Sequence, residues 1–295
     1  EGEQRHWRAH GEDLAVHALT QQLAQWPFPL PAGLRAAREQ LRAQDPRGPL
    51  QSVYLSGVDG TLCTLQARFA GLSMDAKGKI PGVSGVTGWI AGTPAEGVAR
   101  LQGEPLQLTL TRFYDHPLSA TFNGPMRWRM KDDGWRVDSG TLMAQNSDAR
   151  GVAMLSLRGG GESVPELRLM ADVLDGDGAR ARQYIPLKKL PDGLSDWLGQ
   201  AVRDGHLQHG RFLYRGPVKI DPDQQQERTF QMRFQGSDIA LSFLPGWPLA
   251  GGVNADVLID GRQVSASARP GQLLHCRGSA AGVHLPAVGH KHAPH

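Results

Sequence analysis

Residues 126–130 read Met126-Arg127-Trp128-Arg129-Met130, a strict alternation of apolar and basic side chains. Successive side chains of a β-strand point to opposite faces of the sheet, so this segment predicts a strand with one dry and one wet face. The same two-residue period recurs along the chain and predicts antiparallel strands. The apolar positions of these strands are Leu65, Phe69, Leu106, Leu108, Leu110, Met126, Trp128, Met130, Leu167, Leu169, Val173, Phe230, Met232, Phe234, Val253, Val257 and Ile259.

Two parts of the chain have a helical period instead. Apolar residues recur at helical spacing within residues 14–41, and a second stripe occupies residues 194–202 and ends at Gly205. We therefore predict a mainly β chain with short helices at its start and one helical insert. The predicted sections are a leading helical segment 1–48, a β section 49–175, the helical insert 176–206, a second β section 207–286 and a flexible tail 287–295.

The composition limits the class of protein. Only 40% of the 295 residues are hydrophobic, which is little for two compact cores, whereas 37 glycines and 20 prolines make up about a fifth of the chain. One-sided strands need apolar residues only at alternate positions, and we interpret the glycines and prolines as the turns of a long meander. The net charge of +3 comes from scattered residues and does not indicate nucleic acid. The longest uncharged stretch, residues 239–255, is interrupted by glycine and proline, so no membrane span is predicted.

Motifs for covalent chemistry are weak. The segment around Asp59-Gly60 is similar to the loop of haloacid-dehalogenase phosphotransferases, but Gly57 occupies the position of the nucleophilic aspartate. A two-residue hairpin turn explains Asp59-Gly60 better. The chain has no nucleophile elbow, phosphate-binding loop or dinucleotide-binding glycine pattern. We therefore predict that the protein is not an enzyme and needs no cofactor.

No segment has the residue spacing of a metal site. The aspartates of residues 172–177 lack the spacing and the closing glutamate of an EF-hand loop, and a turn with Asp177 as a helix cap is the better interpretation. Cys63 and Cys276 have no second cysteine or histidine at metal-ligand spacing. The histidines of the tail lie in a sequence typical of a disordered segment. We predict no metal site.

Several segments resemble a known protein family. They are Tyr184–Leu194, Asp196-Trp197-Leu198, Gly210-Arg211-Phe212, Arg215-Gly216-Pro217, Phe243–Leu249, Arg68-Phe69 and Ile80–Val83. Together they resemble the YhdP branch of the AsmA-like, TamB-related proteins over residues 50–285. The resemblance implies a long antiparallel sheet curled lengthwise into a hydrophobic groove, a repeating β-groove also called a β-taco.

The resemblance also implies a cellular role. Proteins of this branch are periplasmic, are anchored in the inner membrane of Gram-negative bacteria and are implicated in phospholipid movement between the inner and outer membranes. Because the chain begins at Glu1 without a methionine, we expect it to be a piece of a longer protein that carries the membrane anchor. Phospholipids, and possible envelope proteins, are the expected partners.

The alternation and the resemblance lead to one hypothesis with two alternatives. The apolar positions named above would line a groove that binds acyl chains and forms part of a non-enzymatic lipid conduit. Alternatively, the same faces pack on each other as a dry β core, and the chain is an interaction scaffold in envelope assembly. A hydrolase would require a polar pocket with a positioned nucleophile.

Overall fold

Strands account for most of the chain. The computed structural model describes residues 4–18, 45–78, 80–131, 133–161, 163–185, 188, 196, 199–219, 228–242, 246, 248–261, 263–269, 272–273, 276–277 and 281–285. The chain divides into two compact units. Unit 1 comprises Glu1–Asn146 with Met154–Leu167, and unit 2 comprises Ser147–Ala153 with Arg168–His295.

The strands are β1 (His6–Ala15), β2 (Pro49–Val58), β3 (Thr61–Met74), β4 (Gly82–Gly92), β5 (Glu96–Thr109), β6 (Leu118–Lys131), β7 (Gly134–Ser139), β8 (Leu142–Gln145), β9 (Arg150–Gly159), β10 (Glu166–Asp177), β11 (Val202–Pro217), β12 (Thr229–Leu241), β13 (Ala250–Asp260), β14 (Gln263–Arg269), β15 (Gln272–Leu273), β16 (Cys276–Arg277) and β17 (Ala281–Leu285). A 3-10 helix, Gly178–Gln183, follows β10. Residues 16–18 and 199–201 are helical. The prediction of a mainly β chain of antiparallel strands is confirmed.

The sheet of unit 1 is an antiparallel meander. Each strand from β1 to β6 pairs with the next, β6 also pairs with β7 and β8, and β7 pairs with β9. Val58 lies opposite Thr61, so Asp59 and Gly60 form the two-residue turn between β2 and β3. Their φ angles of 47° and 77° are those of the mirror-image turn that matches strand twist. The hairpin prediction for Asp59-Gly60 is confirmed.

Bulges interrupt four neighbouring strand pairs of unit 1. The pairing shifts register between Leu50 and Ser52, between Phe69 and Leu72, between Ser84 and Thr87, and between Gly103 and Leu106. Bulges bend a strand and increase its local twist, so this series curves the sheet of unit 1.

The buried core of unit 1 is small. Leu50, Val53 and Phe69 form a buried cluster, against which partly buried residues such as Ile90 and Leu101 pack. Across the described part of the chain, no large apolar side chain is fully buried. Most apolar side chains of the sheet are therefore covered by their neighbours only in part.

Unit 2 contains a second antiparallel meander. β10 lies next to β11, and β11 to β14 pair in sequence before β14 pairs with β17. β13 also pairs with β15, which pairs with β16. The Asp177 carboxylate accepts a hydrogen bond from the Ala179 backbone N–H at 2.8 Å and caps the 3-10 helix. The cap predicted for Asp177 is confirmed.

Two segments predicted to be helical form strands. Residues 6–15 form β1, because they pair with β2 along its whole length and this pairing overrides the helical spacing near Leu14. β11 begins at Val202, so the helical insert ends before that residue and Gly205 lies within a strand. The rest of the leading helical segment, 19–44, residues 194, 195, 197 and 198 of the second stripe, and the tail 287–295 lie outside the described residues.

Candidate functional site: the apolar faces of the two units

Cross-strand register places the predicted apolar residues of unit 1 on one face. Directly opposed residues of an antiparallel pair share a face, so rows of partners define it. The rows crossing β3, β4, β5 and β6 are Leu65–Gly92–Gly97–Trp128, Ala67–Ile90–Ala99–Met126 and Phe69–Gly88–Leu101–Gly124. We call this face the floor of unit 1. It contains only apolar residues and glycine over four strands.

The floor continues past a bulge in β5. Leu101 has an odd number and Leu106 an even one, so an uninterrupted strand would point them to opposite faces. The register shift between Gly103 and Leu106 removes the conflict, and Leu106 and Leu108 lie opposite Ala120 and Leu118. All even-numbered residues of β6 point to one face, so Met126, Trp128 and Met130 belong to the same face as Leu118 and Ala120. The bulge therefore extends the floor toward the end of β5.

Tryptophan rings on the floor lie across glycines of neighbouring strands. A Cβ placed on Gly97 would lie 2.1 Å from the six-membered ring of Trp128, and one on Gly92 would lie 3.0 Å from it. Trp128 therefore lies along the sheet over β5 and β4. Trp135 covers Gly159 and Trp7 covers Gly57 in the same way, with Cβ distances of 2.8 and 2.4 Å. The rings lie on the sheet instead of projecting from it.

Unit 2 has an apolar face of the same kind. Its rows are Gly210–Phe234–Val257–Ala266, Phe212–Met232–Ile259 and Tyr214–Phe230. We call this face the floor of unit 2. Phe212 and Phe230 meet edge to face with ring centroids 5.7 Å apart, a favourable aromatic geometry. Besides Gly210, three residues of this floor were not predicted, Phe212, Tyr214 and Ala266. The alternation of Gly210, Phe212 and Tyr214 with Arg211 and Arg215 was the available signal for two of them.

The predicted lining residues differ in exposure. Phe69 and Val253 are buried, and Val173 and Phe234 are exposed at 38% and 37%. The half-buried residues are Leu65, Leu106, Leu108, Leu110, Met126, Trp128, Met130, Leu167, Leu169, Phe230, Met232, Val257 and Ile259. Leu110 follows the end of β5. The alternation of half-buried and exposed residues in β10 breaks at Ala171 and Asp172, which are both half-buried, and the next residue, Val173, is exposed.

The opposite face of unit 2 is polar and paired. Asp172 accepts hydrogen bonds from Arg211 Nε at 2.7 Å and contacts His209 Nε2 at 3.2 Å, and the Arg211 hydrogen bond lowers the pKa of Asp172. Arg233 donates to Asp256 from Nε at 3.1 Å and from Nη2 at 2.6 Å, and these hydrogen bonds lower the pKa of Asp256. These carboxylates are engaged in cross-strand pairs. These ion pairs link neighbouring strands and keep that face polar and hydrated.

The arrangement suits the binding of apolar chains. Burial of each methylene of a bound alkyl chain contributes about 0.8 kcal/mol, and this contribution needs contact area rather than a specific polar group. Where the rings of Trp128 and Trp135 lie flat over glycines, the apolar surface of unit 1 stays close to the strand backbone. A lining of this kind offers length and apolar contact and has no built-in nucleophile.

The geometry agrees with a comparison of the whole sequence. The model of the YhdP protein family matches residues 1–294. The chain belongs to the YhdP family. Membership of this family points to a role related to lipid transport rather than to catalysis. No curated protein and no solved structure matches this YhdP-family chain. Within its described residues, no helix has the length and apolar character needed to cross a membrane.

Proposed function

We propose that the chain binds phospholipid acyl chains on its apolar floors and acts as a non-enzymatic segment of a lipid conduit. In this proposal it serves the periplasm of a Gram-negative envelope, as part of an inner-membrane-anchored protein that moves phospholipids between the two membranes. Family membership supports the transport class. The apolar floors support the acyl chain as the bound group.

One observation carries the proposal. The floor of unit 1 is apolar across β3 to β6, yet its large side chains are only partly buried apart from Phe69. Apolar area left exposed in contiguous rows is unfavourable in water and marks a surface that another apolar body covers. An acyl chain laid along the rows would cover it.

A dry scaffold remains the second candidate because of the buried cluster. Leu50, Val53 and Phe69 pack against each other without any ligand, so part of the apolar face is closed by the chain itself. If the remaining floor were closed in the same way by a protein partner, no lipid would be needed. The two functions therefore differ in what covers Leu108 and Trp128.

The test uses a matched pair of neighbouring positions in β5. Leu108 is on the floor, opposite Val83 and Leu118, whereas Gln107 lies on the other face opposite Ser84 and Ser119. We expect phospholipid to co-purify with the chain in native mass spectrometry. Leu108→Asp should lose most of it, because a carboxylate would be buried among alkyl chains, while Gln107→Asp should retain it.

Photo-crosslinking separates the two candidates. A crosslinking residue at Leu108, Trp128 or Phe234 should capture lipid, and one at Gln107 should not. Circular dichroism of Leu108→Asp shows whether a loss of lipid reflects unfolding, and Met126→Gln supplies a milder floor variant. Equal lipid retention by Leu108→Asp and Gln107→Asp, or capture of protein alone at all three floor positions, would contradict the conduit.

A further inference from the structure

The wet face of unit 1 carries arginines at closely spaced cross-strand positions. Arg68, Trp89 and Arg100 are direct partners across β3, β4 and β5, and Val98 on β5 lies opposite Arg127 on β6. We call this surface the basic face. Its basic side chains are Arg8, Arg68, Arg100, Arg127, Arg129, Lys131, Arg136 and Arg158, all of them exposed.

The fold does not account for this clustering. Arg129, Arg136 and Arg158 lie directly opposite one another across β6, β7 and β9, and like charges in opposed positions destabilise a sheet. Each of these three has one carboxylate nearby, from Glu96, Asp138 and Glu166 in turn. A row of this kind favours an external partner that supplies further negative charge.

Three neighbouring arginines form no ion pair within the described residues, although Asp138, which binds Arg136, lies opposite Arg127 across β6 and β7. Within the part of the chain that the structure describes, no acidic side chain lies within ion-pairing distance of Arg68, Arg100 or Arg127. On the wet face of unit 2, by contrast, Arg211 and Arg233 are each bound to an aspartate of the adjacent strand. Cross-strand ion pairs therefore occur on a wet face of this protein, whereas Arg68, Arg100 and Arg127 form none within the described residues.

Apolar side chains stand between the cations of the basic face. Trp89 is 40% exposed between Arg68 and Arg100, and Val98 is 38% exposed opposite Arg127. Tyr54, also exposed, stacks on His10 with ring centroids 4.2 Å apart. Tryptophan and tyrosine among cations are typical of side chains at the headgroup level of a bilayer, where ring and charge are both accommodated.

We propose that the basic face docks on the surface of an anionic phospholipid bilayer. Arginine guanidinium groups bind phosphate oxygens in pairs, and Trp89 would enter the headgroup layer between them. The large apolar side chains of this face are few and are flanked by cations, so they do not form the broad apolar centre typical of a protein interface, which favours a lipid surface over an acidic protein. The inference goes beyond lipid binding on the floor and does not depend on it.

The test is vesicle sedimentation with the full chain. Vesicles of phosphatidylcholine with phosphatidylglycerol should bind the chain, and vesicles of phosphatidylcholine alone should bind it weakly. The variant Arg68→Ser/Arg100→Ser/Arg127→Ser should lose about a hundredfold in partitioning to the anionic vesicles, since each cation near such a surface contributes about a fivefold factor. Added salt should weaken binding of the wild type more than binding of the variant.

A matched variant controls for total charge. Arg203→Ser/Arg215→Ser/Lys219→Ser removes three exposed cations from unit 2, so both variants fall from a net charge of +3 to zero. The control should bind anionic vesicles within about twofold of the wild type, because its cations lie outside the basic face. Equal losses in the two variants, or equal binding of the wild type to neutral and anionic vesicles, would overturn the proposal.

Two further measurements distinguish docking on a bilayer from lipid binding on the floor and from binding of an acidic protein. Phospholipid that co-purifies on the floor should remain in the arginine variant, so loss of docking and loss of floor binding are distinguishable by native mass spectrometry. Polyglutamate serves as the probe for an acidic protein. If the wild type binds polyglutamate through Arg68, Arg100 and Arg127 and ignores anionic vesicles, the lipid surface is the wrong partner.

Discussion

At the scale of single residues, the tryptophan–glycine pairs explain some of the glycine in the strands. The sequence interpretation assigned glycine to turns, but Gly57, Gly97 and Gly159 lie inside strands. Glycine weakens a strand because it adds chain entropy and has no side chain to pack. A ring from the adjacent strand compensates by covering the bare backbone, as Trp128 covers Gly97. The high glycine content is therefore part of the floor as well as of the turns.

Gly97→Ala tests the contact between the Trp128 ring and the backbone of Gly97. The new methyl group would lie 2.1 Å from the ring, so the indole must leave its place and the free energy of unfolding should fall by about 1–3 kcal/mol. Urea unfolding measures the change, and the emission of Trp128 should shift. Gly251→Ala is the control, because among the described residues no atom beyond its chain neighbours lies within 4 Å of its added methyl group. An equal effect at the two positions would contradict the assigned contact.

At the scale of strands, alternation predicted several elements and failed at others for identifiable reasons. The period of two identified β3, β6, β12 and β13, where one phase holds over most of the strand. It did not identify β1, whose conformation depends on pairing with β2, more than thirty residues away along the chain. The period of two also could not show that the side chains on the floor change from odd to even positions within β5, because the bulge after Gly103 is set by the pairing with both neighbouring strands.

A second prediction concerns the pair between β10 and β11. The hydrogen bond from Arg211 lowers the pKa of Asp172 in the folded state, so this pair stabilises the fold at pH values above the unfolded pKa of about 4. Its contribution is lost as the pH falls through the lowered folded pKa. Asp172→Asn should therefore reduce the urea midpoint near neutral pH, and the difference from the wild type should shrink toward zero in strong acid.

The control for this pH dependence is an exposed carboxylate. Asp133→Asn, in the turn between β6 and β7, should leave the urea midpoint close to that of the wild type throughout the series. The result expected for Asp172→Asn would be contradicted by a deficit of constant size at all pH values. A constant deficit would indicate lost packing rather than a lost ionic hydrogen bond.

At the scale of the whole molecule, the same one-sided construction occurs in both units. Each unit presents rows of apolar residues on one face of its strands and mainly charged or polar residues on the other. The amino-acid pattern predicts which residues share a face. It cannot predict what covers that face, because a closed sandwich and a filled groove require the same alternation. Partial exposure of the floors is a property of the folded chain and becomes visible only there.

The last prediction uses tryptophan to read both faces of unit 1. The protein has seven tryptophans, among which Trp128 lies on the floor and Trp89 on the basic face. Chains that keep only one of the two, with phenylalanine at the other positions, would be loaded with phospholipid brominated on its acyl chains and then freed of vesicles. Bromine quenches indole fluorescence on contact, so Trp128 should be quenched strongly and Trp89 little.

The alternatives give different patterns in the same measurement. If a dry protein core covers the floor, neither tryptophan meets an acyl chain and neither is quenched. If lipid adheres without preference for a face, both are quenched alike. Adding anionic vesicles of the same brominated lipid should then quench Trp89 as well, because docking brings the basic face to the bilayer. Quenching of Trp89 before vesicles are added, with Trp128 unaffected, would mean that the wet face holds the acyl chains and that the floor is wrongly assigned.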